Sequence, residues 1–134
     1  MNHYVTDTHA LIWHLYENPK LPPTIRAIFE RTDAGEDGII IPSITLVEII
    51  YLVEKQRIAA DAVHKVFNLL QSGADNYRVA ALESSVAFAV QRIDRAQVPE
   101  LADRIIAATA WQLGLPLISH DRQIGQVTDL VVVW

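Results

Sequence analysis

The chain has 134 residues, the size of one domain, and its 51% hydrophobic content is enough to build a full core. A formal net charge of -5 argues against broad, nonspecific nucleic-acid binding, which needs clustered Lys and Arg, and the lack of cysteine excludes a disulfide framework or thiolate metal site. No run of about 18 apolar residues is present to span a membrane, and the opening MNHYVTDTH lacks a secretory pattern, so a single cytoplasmic domain over 1–134 is expected.

Residues 4–6 read as a short strand that delivers Asp7 to its carboxyl end, and 8–16 have helical spacing with Leu11, Ile12 and Leu15 on one face. Asn18-Pro19 stops that helix, and Pro22-Pro23 opens another that runs to about residue 31. Ala34-Gly35-Glu36-Asp37-Gly38 is a turn, and the β-branched run at 39–41 suits a parallel strand covered on both faces.

Pro42-Ser43 begins a helix over 43–56, with Ser43 or Thr45 expected to cap its first amides. Glu48 stands in this helix among Ile44, Leu46, Val47, Ile49, Ile50, Leu52 and Val53, which leave almost no polar face. Thr45 and Glu48 match the spacing of a capping box, which gives the acid one role. The other is as a ligand: a carboxylate in such surroundings needs a partner, and a cation shared with other acids would serve. An amphipathic helix over 60–71, closed by Ser72-Gly73, is expected to pair with 43–56 as a hairpin.

A third strand follows at 77–82, a helix at 85–93 and a loop at 94–99. The segment LADRIIAATAWQLGLPLISHD at 101–121 then organises the chain: Asp103 opens an apolar helix, Gly114 ends it, and a short strand runs into Asp121. A last apolar strand is expected at 130–133. Short apolar strands separated by one or two helices indicate an α/β fold with a parallel sheet covered on both faces. Such sheets bind ligands beyond the carboxyl ends of the strands, where the strand order reverses. If the first and fourth strands are neighbours there, Asp7 and Asp121 face one crevice, and the helices carrying Glu48 and Asp103 line it.

Two carboxylates about 4 Å apart repel by roughly 4 kcal/mol at an effective dielectric of 20, so gathering four requires protonation or a cation. All-oxygen ligation favours Mg²⁺ or Mn²⁺ over zinc. His9 and His120 stand beside two of the acids, although a strand neighbour points its side chain the opposite way. Such an ion polarises a phosphodiester and activates water, so hydrolysis of a nucleic-acid strand is the natural reaction. Thr8 and Ser119 are accessory candidates for holding water or phosphate, although capping and strand-end roles suit both better. Arg104 and Arg122, beside two of the acids, are candidates for RNA contact, whereas Lys55, Arg57, Arg92 and Arg95 read as surface charge.

VTDTHALIW at the start, PSITLVEI around Glu48, ADRIIAATA around Asp103 and LISHD ending at Asp121 together resemble the PIN domain and, among its members, the short VapC-type toxins. The resemblance spans nearly the whole chain and keeps four acids in order. It implies a three-layer αβα fold on a five-stranded parallel sheet and a metal-dependent endoribonuclease. Asp7, Glu48, Asp103 and Asp121 would be its catalytic and Mg²⁺- or Mn²⁺-binding residues. It further implies a homodimer and a cognate antitoxin of a type II pair, whose tail fills the active-site groove. Where many relatives have an acidic DPxDR sequence, this chain has Glu100-Leu101-Ala102-Asp103-Arg104, so Glu100 keeps a charge at the first acidic position and either assists the metal as an accessory residue or, the reading preferred, sits on the rim of the site. The rival readings are a phosphatase with Asp7 as nucleophile, which lacks a second acid two residues on, and a PIN-like binding module without catalysis.

Overall fold

The computed structural model describes residues 1–72 and 75–134. Its elements are β1 (His3–Thr6), α1 (Thr8–Leu15), α2 (Pro23–Asp33), β2 (Gly38–Pro42), α3 (Ser43–Glu54), α4 (Ala62–Leu70), β3 (Tyr77–Ala80), α5 (Ser84–Ala89), α6 (Leu101–Leu113), β4 (Leu117–Ile118) and β5 (Val132–Val133). The five strands form one parallel sheet in the order β3-β2-β1-β4-β5. The order reverses between β1 and β4, which are hydrogen-bonded neighbours. That adjacency was the condition for Asp7 and Asp121 to share a crevice.

The strands are apolar throughout because both faces are covered, and the pleat sends successive side chains to opposite sides. Ile39, Ile41 and Ile118 point into a core built with α1 to α4, where Leu11, Ile25, Phe29, Ile49 and Val66 are buried. Val5 and Leu117 point into the other, packed by Val86, Ile93, Ile106, Ala107 and Ala110 from the α5–α6 side. Small side chains along α6 let that helix lie close on the sheet, which carries its amino end to the β1/β4 reversal. Its far end is closed by Gly114 in the left-handed region (φ 66°), a conformation glycine adopts without the usual Cβ penalty.

Several expected boundaries move, each for a contact that sequence spacing does not carry. Neither Ser43 nor Thr45 caps α3: the cap position is Pro42, which makes no side-chain bond. The Ser43 hydroxyl accepts instead from the Leu82 amide at 3.1 Å, and Thr45 is fully buried. α3 ends at Glu54 rather than 56, where Gln56 turns left-handed (φ 56°) and the Arg57 amide bonds back to the Leu52 carbonyl. β3 stops at Ala80, opposite Pro42 at the end of its partner strand β2, instead of reaching 82. β5 is limited likewise by the two-residue β4.

The helix expected at 85–93 is α5 followed by a 3₁₀ turn at Val90–Arg92. Arg104 fixes that turn by donating to the carbonyls of Val90 and Ile93, each at 3.0 Å. α6 opens two residues before Asp103, with Glu100 at its cap position and Asp103 in its first turn. The expected Ser72-Gly73 stop falls partly outside the described residues, since Gly73 is not among them.

Candidate active site

Asp7 follows β1 directly and is the N-cap of α1, its Oδ1 accepting from the Ala10 amide at 2.8 Å. Its own amide donates to the Ile118 carbonyl at 3.0 Å, which locks the end of β1 to β4. The side chain is buried, so desolvation pushes its carboxyl above the ordinary range, against the pull of the Ala10 amide and of a hydrogen bond from Ser119. Ser119, also buried, accepts from the Asp121 amide at 3.2 Å. One hydroxyl thus ties together the segments that carry two of the acids.

Glu48 sits on the second turn of α3, half-buried, and its Oε1 accepts from the Thr8 hydroxyl at 2.5 Å. The Thr45 hydroxyl lies 3.3 Å from that of Thr8. The capping-box role is therefore not the one Glu48 takes: it turns toward α1, and the buried threonine pair meets it there. Asp121 lies beyond β4, and its Oδ1 accepts from the amides of Gln123 (2.8 Å) and Ile124 (3.4 Å), which fixes the loop that holds it.

Asp103 registers the company of the others. Its carboxyl is pushed up to about 6, first by burial and then by the negative charges of Glu48, Asp121, Glu100 and Asp7. Four carboxylates therefore lie within electrostatic reach of a fifth at the carboxyl edge of the sheet. Glu100 is exposed. Among the described residues no three Asp, Glu or His side chains are closed into a ready-made metal cage. Asp7 is held by the Ala10 amide and Ser119, Glu48 by Thr8, and Asp121 by the amides of Gln123 and Ile124. The donor set is all oxygen, as a hard divalent ion requires.

The accessory candidates divide. Thr8 and Ser119 are buried and serve as hydrogen-bond donors to Glu48 and Asp7, so they position acids rather than water or phosphate. Arg104 has its guanidinium committed to backbone carbonyls, which gives it a structural part in holding the loop before α6. His9 and His120 are exposed and lie near enough to Asp7 for their charge to act on its carboxyl. The Thr8–Glu48 bond spans 40 positions and has no signal in local spacing.

With this geometry in hand the chain can be set beside known proteins. The PIN domain pattern matches residues 4–130. The chain belongs to the PIN domain family. This PIN domain is 27% identical over 124 residues to Ribonuclease VapC22 of Mycobacterium tuberculosis (strain ATCC 25618 / H37Rv), a match covering 92% of the chain and 91% of the relative. Its fold matches a chain of VapBC2 from Rickettsia felis bound to a promoter DNA fragment, with a TM-score of 0.71 at 17% identity over 98% of this chain and 97% of that one. A chain of a toxin-antitoxin complex from Klebsiella pneumoniae matches with a TM-score of 0.67 at 19% identity, covering 98% and 96%.

Proposed function

We propose that this PIN domain is a divalent-metal-dependent endoribonuclease acting as the toxin of a toxin–antitoxin pair. The observation that supports the reading is that Asp7, Glu48 and Asp121 lie within electrostatic reach of Asp103 at the carboxyl edge of the sheet and help to raise its carboxyl. The likeness to Ribonuclease VapC22 supports the reaction class. Asp7, Glu48, Asp103 and Asp121 would hold Mg²⁺ or Mn²⁺. When bound, such an ion supplies charge neutralisation at a phosphodiester and acidifies an attacking water.

The chain's own residues prepare the site. Ser119 orients Asp7 and Thr8 orients Glu48, so two of the carboxylates enter with one oxygen already fixed. The α6 amino end brings Asp103 in with the positive end of the helix dipole behind it. A phosphatase using Asp7 as nucleophile is disfavoured, because that carboxyl is buried, raised by desolvation and engaged by Ala10 and Ser119. The test is incubation of the purified protein with mixed cellular RNA, followed by mapping of the new ends. Cleavage at defined positions with Mn²⁺ and none with EDTA is expected; cleavage that survives EDTA, or release of phosphate from small monoesters in its place, overturns the reading.

The partner surface we assign is the exposed face of α3 and α4. Val47, Ile50, Tyr51, Val63 and Phe67 are all exposed there. Ile50, Val63 and Phe67 line, with Leu46, Ile49, Val66 and Leu70, an apolar cavity of about 180 Å³. Apolar surface gathered in this way marks an interface. The occupant we assign is an antitoxin segment, because α3 also carries Glu48, so a peptide laid along this face reaches the carboxylates with a basic side chain. A homodimer is part of the same proposal, and a cytoplasmic location fits it; no helix of the described residues is long and apolar enough to cross a membrane. Coexpression with the neighbouring small gene product should give a stable complex that Phe67→Glu dissolves, and light scattering of the chain alone should give twice its 15.0 kDa mass. A monomer with no copurifying partner counts against both.

A further inference from the structure

The carboxyl ends of β1, β4 and β5 also carry a group of aromatic rings that the carboxylate chemistry does not use. Trp13 stands on α1 after β1, His120 lies just past β4, and Trp134 follows β5 directly. Their ring centroids are 5.6 Å (Trp13 to His120), 5.1 Å (His120 to Trp134) and 5.9 Å (Trp13 to Trp134) apart, with interplanar angles of 35°, 39° and 53°. His9 meets His120 edge-on at 6.3 Å. The Ser119 amide, bonded to the Val133 carbonyl at 3.1 Å, ties the chain before His120 to the chain before Trp134.

Trp13 packs one side against the core, but His120 and Trp134 remain exposed, Trp134 to 39%. Large rings held in water beside a polar site are unusual, since tryptophan is on average well covered. They also adjoin the acids: His120 precedes Asp121 in the chain, and His9 lies two residues after Asp7.

An acidic protein has a difficulty with a polyanion. It carries 16 Asp and Glu against 11 Lys and Arg, and Arg104, nearest to Asp103, is occupied by carbonyls. Beside the acids this leaves Arg122, exposed next to Asp121, to meet phosphate, so charge attraction at this edge is limited. Base–aromatic stacking needs no charge and is available to every unpaired base.

We propose that Trp13, His120 and Trp134 form a stacking platform for one nucleobase of single-stranded RNA, next to the phosphodiester at the carboxylates. The platform rests on the ribonuclease reading above and adds to it where the substrate strand is gripped. The expected preference is for an unpaired base at one fixed position relative to the cut, with duplex RNA refused because its bases stay stacked in the helix.

The experiment uses the full chain with Mn²⁺ and single-stranded oligoribonucleotides that it cleaves at a mapped bond, each with one abasic position. One abasic position beside the cut should raise KM by about tenfold to a hundredfold with kcat little changed, the pattern of lost ground-state binding. His120→Ala and Trp134→Ala should raise KM on intact RNA and become indifferent to that same abasic position, whereas Trp134→Phe keeps most of the affinity. Melting curves report whether Trp134→Ala still folds, and His120→Ala, at an exposed site, carries the test if it does not. Normal cleavage with a flat abasic scan, or ring and abasic effects that multiply instead of cancelling, overturns the platform alone. A wild-type chain that cleaves no RNA overturns the ribonuclease reading and the platform with it.

Discussion

Asp103→Asn, Asp7→Asn, Glu48→Gln and Asp121→Asn are each expected to lower RNA cleavage by on the order of a hundredfold to ten-thousandfold, the rate equivalent of several kcal/mol of lost charge stabilisation. The amide series is chosen because the structure tolerates it. Asn caps a helix as well as Asp, so the Asp7 bond to Ala10 survives. Gln at 48 keeps an acceptor for the Thr8 hydroxyl, and Asn at 121 keeps one for the Gln123 amide. What each substitution removes is one negative charge. Initial rates on a mapped RNA, taken beside melting curves, separate loss of the site from loss of the fold. Four variants that melt normally and cleave at wild-type rate would show that the acids have no part in the reaction.

The second large effect is on metal-free stability and its pH dependence. The Asp103 carboxyl stands at about 6 in the folded chain against 3.8 ordinarily. Between those values the folded state holds a proton that the unfolded state has lost. This contribution is therefore fully present below about pH 4 and is lost as pH rises through 6. Asp7 is shifted in the same direction. Two pKa units correspond to roughly 3 kcal/mol, reduced to about 1–2 kcal/mol because Asp103 is only partly buried and solvent screens it. Other groups titrate too: burial lowers His14, which acts in the opposite sense as pH falls. The quantity to read is thus the difference between wild type and Asp103→Asn in EDTA. The variant should melt about 3–6 °C higher at pH 7.5 and nearly level with wild type at pH 4.5. A constant difference across that range would mean that Asp103 does not feel its neighbours.

How much of this was legible in the sequence depends on the range of the interaction. The parallel sheet is written in apolar strands such as Ile39, Ile40 and Ile41, and the end of α6 in Gly114, because a strand covered twice and a left-handed cap each leave a local mark. Asp7 and Asp121 are legible as residues just past strand ends and Asp103 as one in a helix's first turn, and the β1/β4 reversal sets those two strand ends side by side. The partners of those acids were not. Thr8 reaches Glu48 across 40 positions, and Ser119 reaches Asp7 from another strand, so both hydroxyls carry a capping or strand-end signature in isolation.

Arg104 misleads in the same way. Beside Asp103 in the chain it suggests a contact for RNA, yet its guanidinium turns back to Val90 and Ile93. The rings of Trp13, His120 and Trp134 come from helix α1 and from the segments after β4 and β5, and no spacing rule joins them. Strand bounds failed for a related reason: β3 ends and β5 begins where a neighbouring strand does, not where their own apolar runs do.

The central claim, that the acids form one site for a divalent ion, is tested most directly by adding Mn²⁺ to the same two proteins at pH 7.5. A ligand that binds only the folded state stabilises by RT ln(1 + [L]/Kd), about 2.7 kcal/mol at a hundredfold excess over Kd. Wild type should therefore rise well above its EDTA melting temperature and overtake Asp103→Asn, which should keep little of the gain. Melting curves that coincide in EDTA and do not respond to Mn²⁺ would contradict it.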